Sequence, residues 1–416
     1  MKNVKATAIP RWTYLLGLAV MANLVLSGCA QGGGASVSTD GPGVTKSEIT
    51  LGAVMDLTGP ATVFGKGYIK VTDAYLKNIN AKGGINGRKI KWVYETDNYD
   101  PAQAAAAARR LVENDNVFAV IYSSGSAPTG AMQPYLESQK VPFLMITSAG
   151  TQTNPPKPYS FSAITPAELY GAAMFKYAWQ TLNKKSIAII YQNDSFGQSG
   201  LTGAHSGASS VNGKIVAEIP AEGTATEYSA QIALAKKANP DAVLLFTTVP
   251  PTAGILKEAK RTGFNTTFVE SVAAATPAML KLAGPSAEGI YAAFVWPPPD
   301  AATTDAGLKS FQSLMTNDAG VAVGDIGQEY AMPFVNLQLT IEAIRRAGPN
   351  LTRDSFVKAL EGMKNYKVDT TAPISFKKYD ANDQFSRLGN SSVGFAVVEN
   401  GVFKRINNEW ISALQK

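Results

Sequence analysis

The 416-residue sequence contains one cysteine, Cys29, and one histidine, His205. A lone cysteine cannot form a disulfide bond within the chain, and one histidine with one cysteine excludes the usual zinc ligand sets. Ser206 follows His205 in a stretch typical of a helix, where adjacent residues do not face each other. A G-x-S-x-G nucleophile elbow is also absent. We therefore predict no enzyme activity, no metal site and no cofactor.

The net positive charge is small beyond the first 28 residues. The formal net charge is +6, and Lys2, Lys5 and Arg11 precede Cys29 with no acidic residue among them, so a chain beginning at Cys29 carries +3. Dense clusters of Lys and Arg interleaved with aromatic residues are missing, which argues against a nucleic-acid partner. The composition, 45% hydrophobic and 17% charged, is typical of a soluble globular protein.

The amino terminus has the pattern of an export signal. The positive leader precedes an apolar run at 14–26, which is within the length of a secretion signal and shorter than the ~20 residues of a membrane-spanning helix. The run ends in Leu26-Ser27-Gly28-Cys29, which resembles a bacterial lipobox. We predict a lipoprotein signal peptide at 1–28 and a lipidated Cys29. The alternative is a structural cysteine after an ordinary signal peptide.

This pattern predicts an exported protein, anchored through Cys29 to the outer face of the cytoplasmic membrane or on the periplasmic side. Two or three acyl chains give stable anchoring where one does not. The Gly- and Ser-rich segment 29–46 predicts a flexible tether between the anchor and the folded body.

Beyond residue 48, short β-branched runs alternate with helical patterns. The predicted strands are 49–54, 89–95, 117–122, 142–147, 186–191, 214–219, 242–247, 267–270 and 289–295. The predicted helices are 66–82, 101–114, 128–139, 167–182, 197–210, 228–238, 253–261 and 332–347. Continuously apolar strands are typical of parallel sheets buried on both faces, and the alternation predicts an α/β fold with doubly wound, Rossmann-like sheets.

Proline-containing breaks divide this pattern at Thr165-Pro166, at 296–299 and at Ala372-Pro373. Proline cannot continue a helix or a central strand. We predict a first lobe of residues 47–164 plus 297–371 and a second lobe of residues 165–296 plus 372–416. Several chain crossings between them would form a multi-strand hinge beside a cleft.

Five segments resemble type I periplasmic binding proteins, the group that includes leucine/isoleucine/valine-binding proteins. They are GAVMDLTGP at 52–60, INAKGGINGR at 79–88, DNYDP at 97–101, VPFLMIT at 141–147 and DSFG at 194–197. The second segment matches the family's IN-x-x-GGI-N-G pattern. Its glycines fit turn chemistry, because a G-x-x-x-x-G-K-[ST] phosphate loop is absent.

The resemblance implies the substrate-binding lipoprotein of an ABC importer, acting as a monomer with membrane permease subunits as partners. The expected ligand is a branched-chain or other apolar amino acid, or a related carboxylate or amide. The alternative is a sensing receptor that presents amides, urea-like solutes or aromatic acids to a membrane signalling partner.

Serine residues follow the third predicted strand, in the run Ser123-Ser124-Gly125-Ser126. Hydroxyls and free N–H groups at a helix start suit a carboxylate. By the resemblance, Ser124 or Ser126 would bind the ligand carboxylate together with Thr151, and Ala149 would offer backbone groups. Helix capping by Ser123 or Ser124 is the alternative.

Four further positions come from the resemblance alone. Phe64 stands where the family places a large apolar residue over the ligand, and Phe196 matches an aromatic residue from the second lobe. Glu270 ends a predicted strand and would pair with a ligand ammonium, although strict register places Val272 at the position of the family's acid.

Overall fold

The computed structural model describes residues 41–145, 149–298, 303–406 and 410–414. These residues form two α/β lobes, each built on its own sheet. The predicted signal peptide, Cys29 and tether residues 29–40 lie outside the described residues. Val44, within the predicted tether, is buried and bridges to Ile49, so the packed body begins several residues before the first long strand.

The first lobe contains a five-stranded sheet in the order β2-β1-β3-β4-β5, and all of its described pairings are parallel. Asp100 caps α2 and Pro101 occupies the first helical position, as favoured at helix starts. The elements are β1 (Glu48–Met55), α1 (Thr62–Ala81), β2 (Lys89–Thr96), α2 (Pro101–Glu113), β3 (Ala119–Val120), α3 (Ser126–Ser138), β4 (Phe143–Met145), α4 (Gly150–Thr153) and β5 (Ser160–Ser162).

The second lobe continues the alternation of strands and helices. Its elements are α5 (Ala167–Lys176), β6 (Ile187–Gln192), α6 (Ser195–Ser210), β7 (Ile215–Ala221), α7 (Ser229–Ala238), β8 (Ala242–Phe246), α8 (Val249–Arg261), β9 (Thr267–Glu270), α9 (Pro277–Ala283) and β10 (Tyr291–Phe294). A π-helical turn, Tyr177–Thr181, extends α5. The strands β7-β6-β8-β9-β10 are parallel neighbours in this order.

The remaining described part of the chain contributes elements to both lobes. It contains α10 (Ala306–Ser313), α11 (Gln328–Ala347), α12 (Arg353–Glu361), β11 (Ser392–Glu399), β12 (Val402–Arg405) and β13 (Ile411–Ser412). Helix α11 packs on α1 of the first lobe, and β11 pairs antiparallel with β10 of the second. Strands β12 and β13 also pair with β11.

The chain therefore passes between the lobes after β5, after β10 and before β11. Contacts before the last passage hold residues 374–389 on the first lobe. Phe376 packs edge to face on Phe161, with ring centroids 5.1 Å apart, and the buried Arg387 pairs with Glu361 at 2.8 Å. The chain enters the second sheet only at Ser392.

The sheet interiors explain the continuous apolar runs of the sequence. Side chains alternate between the two faces of a strand, and Ala119 and Val120 accordingly belong to different clusters of buried side chains. The nine predicted strands and eight predicted helices each overlap an observed element, which confirms the α/β prediction. No helix in the described part of the chain is both long and apolar enough to cross a membrane.

Candidate functional site

A cavity lies between the lobes, beyond the carboxyl ends of the parallel strands, where doubly wound sheets bind ligands. The space free of protein atoms measures about 570 Å³ when the open mouth is counted. Of the described residues that line it, none is charged. The lining consists of Ala61, Phe64, Tyr68, Tyr99, Ser124, Gly125, Ser126, Ile164, Thr165, Ala167, Tyr170, Phe196, Thr248, Val272, Ala273 and Met332.

Helix α1 supplies one aromatic wall of this cavity. The Asp56 carboxylate accepts a hydrogen bond from the backbone N–H of Ala61 at 2.7 Å and fixes the loop before the helix. Gly65 lets α1 approach β1, because a Cβ there would collide with the carbonyl oxygen of Asp56. Phe64 and, one turn later, Tyr68 then line the cavity, with ring centroids 6.2 Å apart.

The serines after β3 have different partners. Ser123 shares a hydrogen bond of 2.5 Å with Thr129, and the Ser124 hydroxyl donates to the buried carboxylate of Asp97. The Ser126 hydroxyl is buried and has no hydrogen-bond partner in the described part of the chain. Both Ser124 and Ser126 line the cavity, and only Ser126 keeps its hydroxyl unused.

The start of α3 is open to the cavity. Its N-cap residue, Gly125, has no side chain to accept the hydrogen bonds of the first turn. The first N–H groups of a helix have no partner within the helix, and they carry the positive end of the helix dipole. Such a start favours an anionic group on the ligand.

Two predicted site residues that follow β4, Ala149 and Thr151, have other surroundings. Ala149 is buried, and its N–H donates to the side chain of Gln152 at 2.8 Å. Thr151 is exposed to solvent. The described lining includes neither Ala149 nor Thr151.

The second lobe contributes an apolar wall. Phe196 stands at the start of α6, where the Asp194 carboxylate caps the helix by accepting from the N–H groups of Phe196 and Gly197, both at 3.0 Å. The Thr248 hydroxyl donates to Gln192 at 3.0 Å and is thereby engaged within the same lobe.

Val272, and not Glu270, lines the cavity. Val269 packs in the same cluster of buried side chains as Phe196, whereas Phe268 packs in the cluster on the other face of the sheet. Because side chains alternate along a strand, Glu270 lies on the face of Phe268. Its carboxylate is fully buried without a partner among the described residues, and burial raises its pKa well above the usual value.

Hydrogen bonds between described residues join the lobes near the cavity. The Tyr99 hydroxyl donates to the Asp194 carboxylate at 3.0 Å, and the Gly150 N–H donates to the Ser199 hydroxyl at 3.0 Å. Burial, reinforced by the nearby Asp194 carboxylate, raises the pKa of Tyr99 well above its usual value, so the phenol stays protonated. The lobes are therefore closed on each other.

Burial also keeps two other phenols of the lining protonated. The pKa of Tyr68 is raised by burial and by Glu329, and that of Tyr170 by burial and by Asp194. Sequence reasoning did not select Tyr68, Tyr99 or Tyr170. Only Tyr68 gave a usable signal, since it stands four residues after Phe64 and shares its helical face.

The sole histidine lies away from the cavity. His205 is exposed on α6, with its Nε2 atom 3.0 Å from a carboxylate oxygen of Glu218. Across the ranges that the structure describes, no three His, Cys, Asp or Glu side chains are grouped closely enough to hold a metal ion.

Comparison with known proteins finds structures with the same fold and a family whose profile matches this chain. Residues 48–387 match the profile of the family described as periplasmic binding protein. The Leu/Ile/Val-binding protein of Escherichia coli K12 is 28% identical over 246 residues, which are 58% of this chain and 66% of that relative. The match thus spans just under two thirds of the relative's length.

Two solved structures share the fold. A branched-chain amino acid ABC transporter protein from Thermus thermophilus with bound valine has a TM-score of 0.79 at 19% identity, covering 88% of this chain and 97% of that one. A solute binding protein from Rhodopseudomonas palustris in complex with p-hydroxybenzoic acid has a TM-score of 0.76 at 19% identity, covering 88% and 98%. With the profile match over most of its length, the chain belongs to the family of type I periplasmic binding proteins, whose members are exported binding proteins rather than enzymes.

Proposed function

We propose that this protein captures a small apolar solute with a carboxylate group between its lobes and releases it chemically unchanged to a membrane transporter. One observation carries the proposal: the unpaired, buried Ser126 hydroxyl lies at the uncapped start of α3, inside the cavity between the lobes. A carboxylate at this point would accept from Ser126 and from the free N–H groups of the first turn.

The apolar part of the solute would contact the aromatic walls. Phe64 from the first lobe and Phe196 from the second line the same cavity. A branched or cyclic hydrocarbon group fits such walls, and burying it supplies most of the binding free energy. Branched-chain amino acids and aromatic acids, the ligands in the relatives' names, both satisfy these two requirements.

Closure would follow from binding at two lobes at once. A solute that touches both Ser126 and Phe196 binds the closed form better than the open form, and this difference shifts the equilibrium toward closure. The bonds from Tyr99 to Asp194 and from Gly150 to Ser199 would then form across the mouth. A permease that recognises only the closed form would therefore bind the protein only when it holds its ligand.

Delivery to an ABC importer is the role favoured by the family. Lipidation at Cys29 would hold the protein beside the permease, on the outer face of the membrane. Metabolic labelling with a radioactive fatty acid tests the anchor, because Cys29→Ser would abolish the label while leaving the folded body unchanged.

Calorimetry with purified protein tests solute capture. A panel of branched-chain amino acids, their des-amino carboxylates and aromatic carboxylates should include a ligand with a Kd well below millimolar. Small-angle scattering should show the protein becoming more compact on binding it. If no member of the panel binds or changes the scattering, the proposed function is wrong.

A further inference from the structure

The polar side chains of the described lining are hydroxyls, and none of them carries a charge. Ser126 and the protonated phenols of Tyr68 and Tyr170 offer O–H groups, and the start of α3 offers N–H groups. The described lining contains no Asp or Glu side chain. A carboxylate therefore finds donors in this cavity, whereas an ammonium group finds no negatively charged partner.

Three acids close to the cavity are already engaged by the protein. The Asp56 carboxylate accepts from the N–H groups of Thr58 and Ala61. Asp97 accepts from the Ser124 hydroxyl and from the Tyr99 N–H. Asp194 caps α6 with one oxygen, and its other oxygen accepts from Tyr99 and Gln192. Each carboxylate holds a turn or a helix start, and none faces the cavity.

Three further acids nearby, Glu168, Glu270 and Glu329, also lie outside the described lining. Glu168 stands in the first turn of α5, and a Cβ on Gly150 would meet its carboxylate. Glu270 lies on the opposite face of the second sheet, and Val272 occupies the lining instead. Glu329, in the first turn of α11, is buried behind Gly67 and Gly327, where a Cβ on either glycine would meet Glu329 atoms. None of these three acids belongs to the described lining, where it could neutralise a positive charge.

We propose that the ligand is an apolar monocarboxylate that lacks an ammonium group, and is not an α-amino acid. This inference rests on the proposed function and narrows its ligand class. Taking an ammonium group from water into a closed cavity without an anionic partner is strongly unfavourable. Hydroxyl oxygens of the lining could accept from its N–H donors, but none of them carries the negative charge that would offset its desolvation.

Matched ligand pairs test the inference by calorimetry on the purified protein. 4-Methylpentanoate differs from leucine, and 3-phenylpropanoate from phenylalanine, only in the missing ammonium. We expect each des-amino acid to bind at least about 100-fold more tightly than its amino acid. Equal or tighter binding of leucine, phenylalanine or their trimethylated derivatives would overturn the inference and leave solute capture intact. If neither member of either pair binds, and no other acid of the panel binds, the proposed function fails together with the inference.

Variants at the acidic positions sharpen the test. Glu329→Gln and Glu270→Gln should leave the des-amino Kd within about twofold, because neither carboxylate lines the cavity. If leucine binds the wild type and Glu329→Gln or Glu270→Gln abolishes this binding, that acid is an ammonium partner and the inference is wrong.

Val272→Glu, compared with Val272→Gln, places an acid in the lining. We expect the Glu variant to bind leucine at least about tenfold more tightly than the Gln variant, since it restores a charged partner. Circular dichroism on both variants checks that they are folded. If both variants are folded and bind leucine equally, a missing acid is not what excludes the ammonium, and the inference falls.

Discussion

Helices α3 and α6 both begin at the cleft, one from each lobe, and they begin differently. The start of α6 is closed by the protein itself, because the Asp194 carboxylate accepts from the N–H groups of Phe196 and Gly197. The start of α3 follows Gly125, which offers no cap. In the second lobe, the Asp194 carboxylate neutralises the dipole of α6. In the first lobe, the dipole of α3 has no such partner among the described residues, and a ligand carboxylate could neutralise it. This asymmetry would orient a carboxylate toward the first lobe.

The strongest way to break the asymmetry is to give α3 an acid of its own. Ser126→Asp places a carboxylate at the helix start, as Asp194 does for α6. We expect solute binding to weaken by several kcal/mol, since two like charges would share one site. Calorimetry with the best ligand of the panel measures the loss.

Ser126→Asn is the matched control for that change. Asn has the same shape as Asp without the charge, so its loss of affinity should be clearly smaller. If the Asp and Asn variants lose affinity equally, crowding rather than charge explains the result, and the ligand carboxylate does not lie at α3.

Removing the unpaired Ser126 hydroxyl tests the same start of α3 with a smaller expected effect. Ser126→Ala should weaken binding by about 1.5–3 kcal/mol, the range for a hydrogen bond to a charged group. Because the hydroxyl has no partner among the described residues, the free energy of unfolding without ligand should change little. Chemical denaturation and calorimetry measure the two effects separately.

Ser195→Ala is the corresponding change on the other lobe. Ser195 is the first residue of α6, and its hydroxyl is also buried without a partner in the described part of the chain. It does not line the cavity, so the affinity should stay at the wild-type value. A similar loss at both serines would remove the difference between the two helix starts.

The sequence predicted the strands and helices better than it predicted the contacts between distant residues. Apolar strand runs and the helical periods between them arise from local burial, and these predictions are confirmed by the observed elements. The sequence predicted a crossing to the second lobe at Ala372-Pro373, and the observed point of entry into the second sheet, Ser392, was not visible. It depends on Arg387 and Phe376 packing against the first lobe, which are contacts between residues distant in the sequence.

In the candidate site too, local patterns predicted the elements, whereas contacts between distant residues could not be predicted. Phe64, Ser124, Ser126 and Phe196 line one cavity, as expected from elements that end at the cleft. The choice between Glu270 and Val272 depends on strand register, which a short apolar run does not fix. The distinction between Ser124 and Ser126 depends on Asp97, a partner 27 residues away in the chain. Contacts of this kind require the folded structure.

A buried acid in the first turn of a third helix, α11, predicts that the stability of the protein depends on pH. Helix α11 begins at Gln328, and burial raises the pKa of Glu329 in its first turn from 4.5 to about 8. Between these pH values the folded protein holds a proton that the unfolded chain releases. The free energy of unfolding should therefore fall as the pH rises through this window, by up to about 1.4 kcal/mol per pH unit.

Glu329→Gln removes this titration, so its curve of unfolding free energy against pH should be flatter than that of the wild type between about pH 5 and 8. Denaturant unfolding at several pH values measures both curves. The exposed Glu227→Gln serves as the control and should follow the wild type. A wild-type curve that rises through the window, or a Gln variant with the same slope, contradicts the burial argument.

The smallest expected effect concerns the bond that connects the two lobes. Tyr99→Phe keeps the ring in the cavity and removes the hydroxyl that donates to Asp194. This bond forms only when the lobes are closed, so its loss should weaken solute binding by about 1 kcal/mol, roughly fivefold. Asp194 keeps its bonds to α6, and the second lobe should retain its stability.

Tyr135→Phe is the control, because its hydroxyl donates to Glu113 within the first lobe at 2.8 Å. Stopped-flow fluorescence should show faster ligand release from Tyr99→Phe and an unchanged rate from Tyr135→Phe. If Tyr99→Phe releases the solute at the wild-type rate, the bond to Asp194 adds nothing to closure. The Asp194 carboxylate would then act on α6 alone, and the two helix starts would differ only in how each is capped.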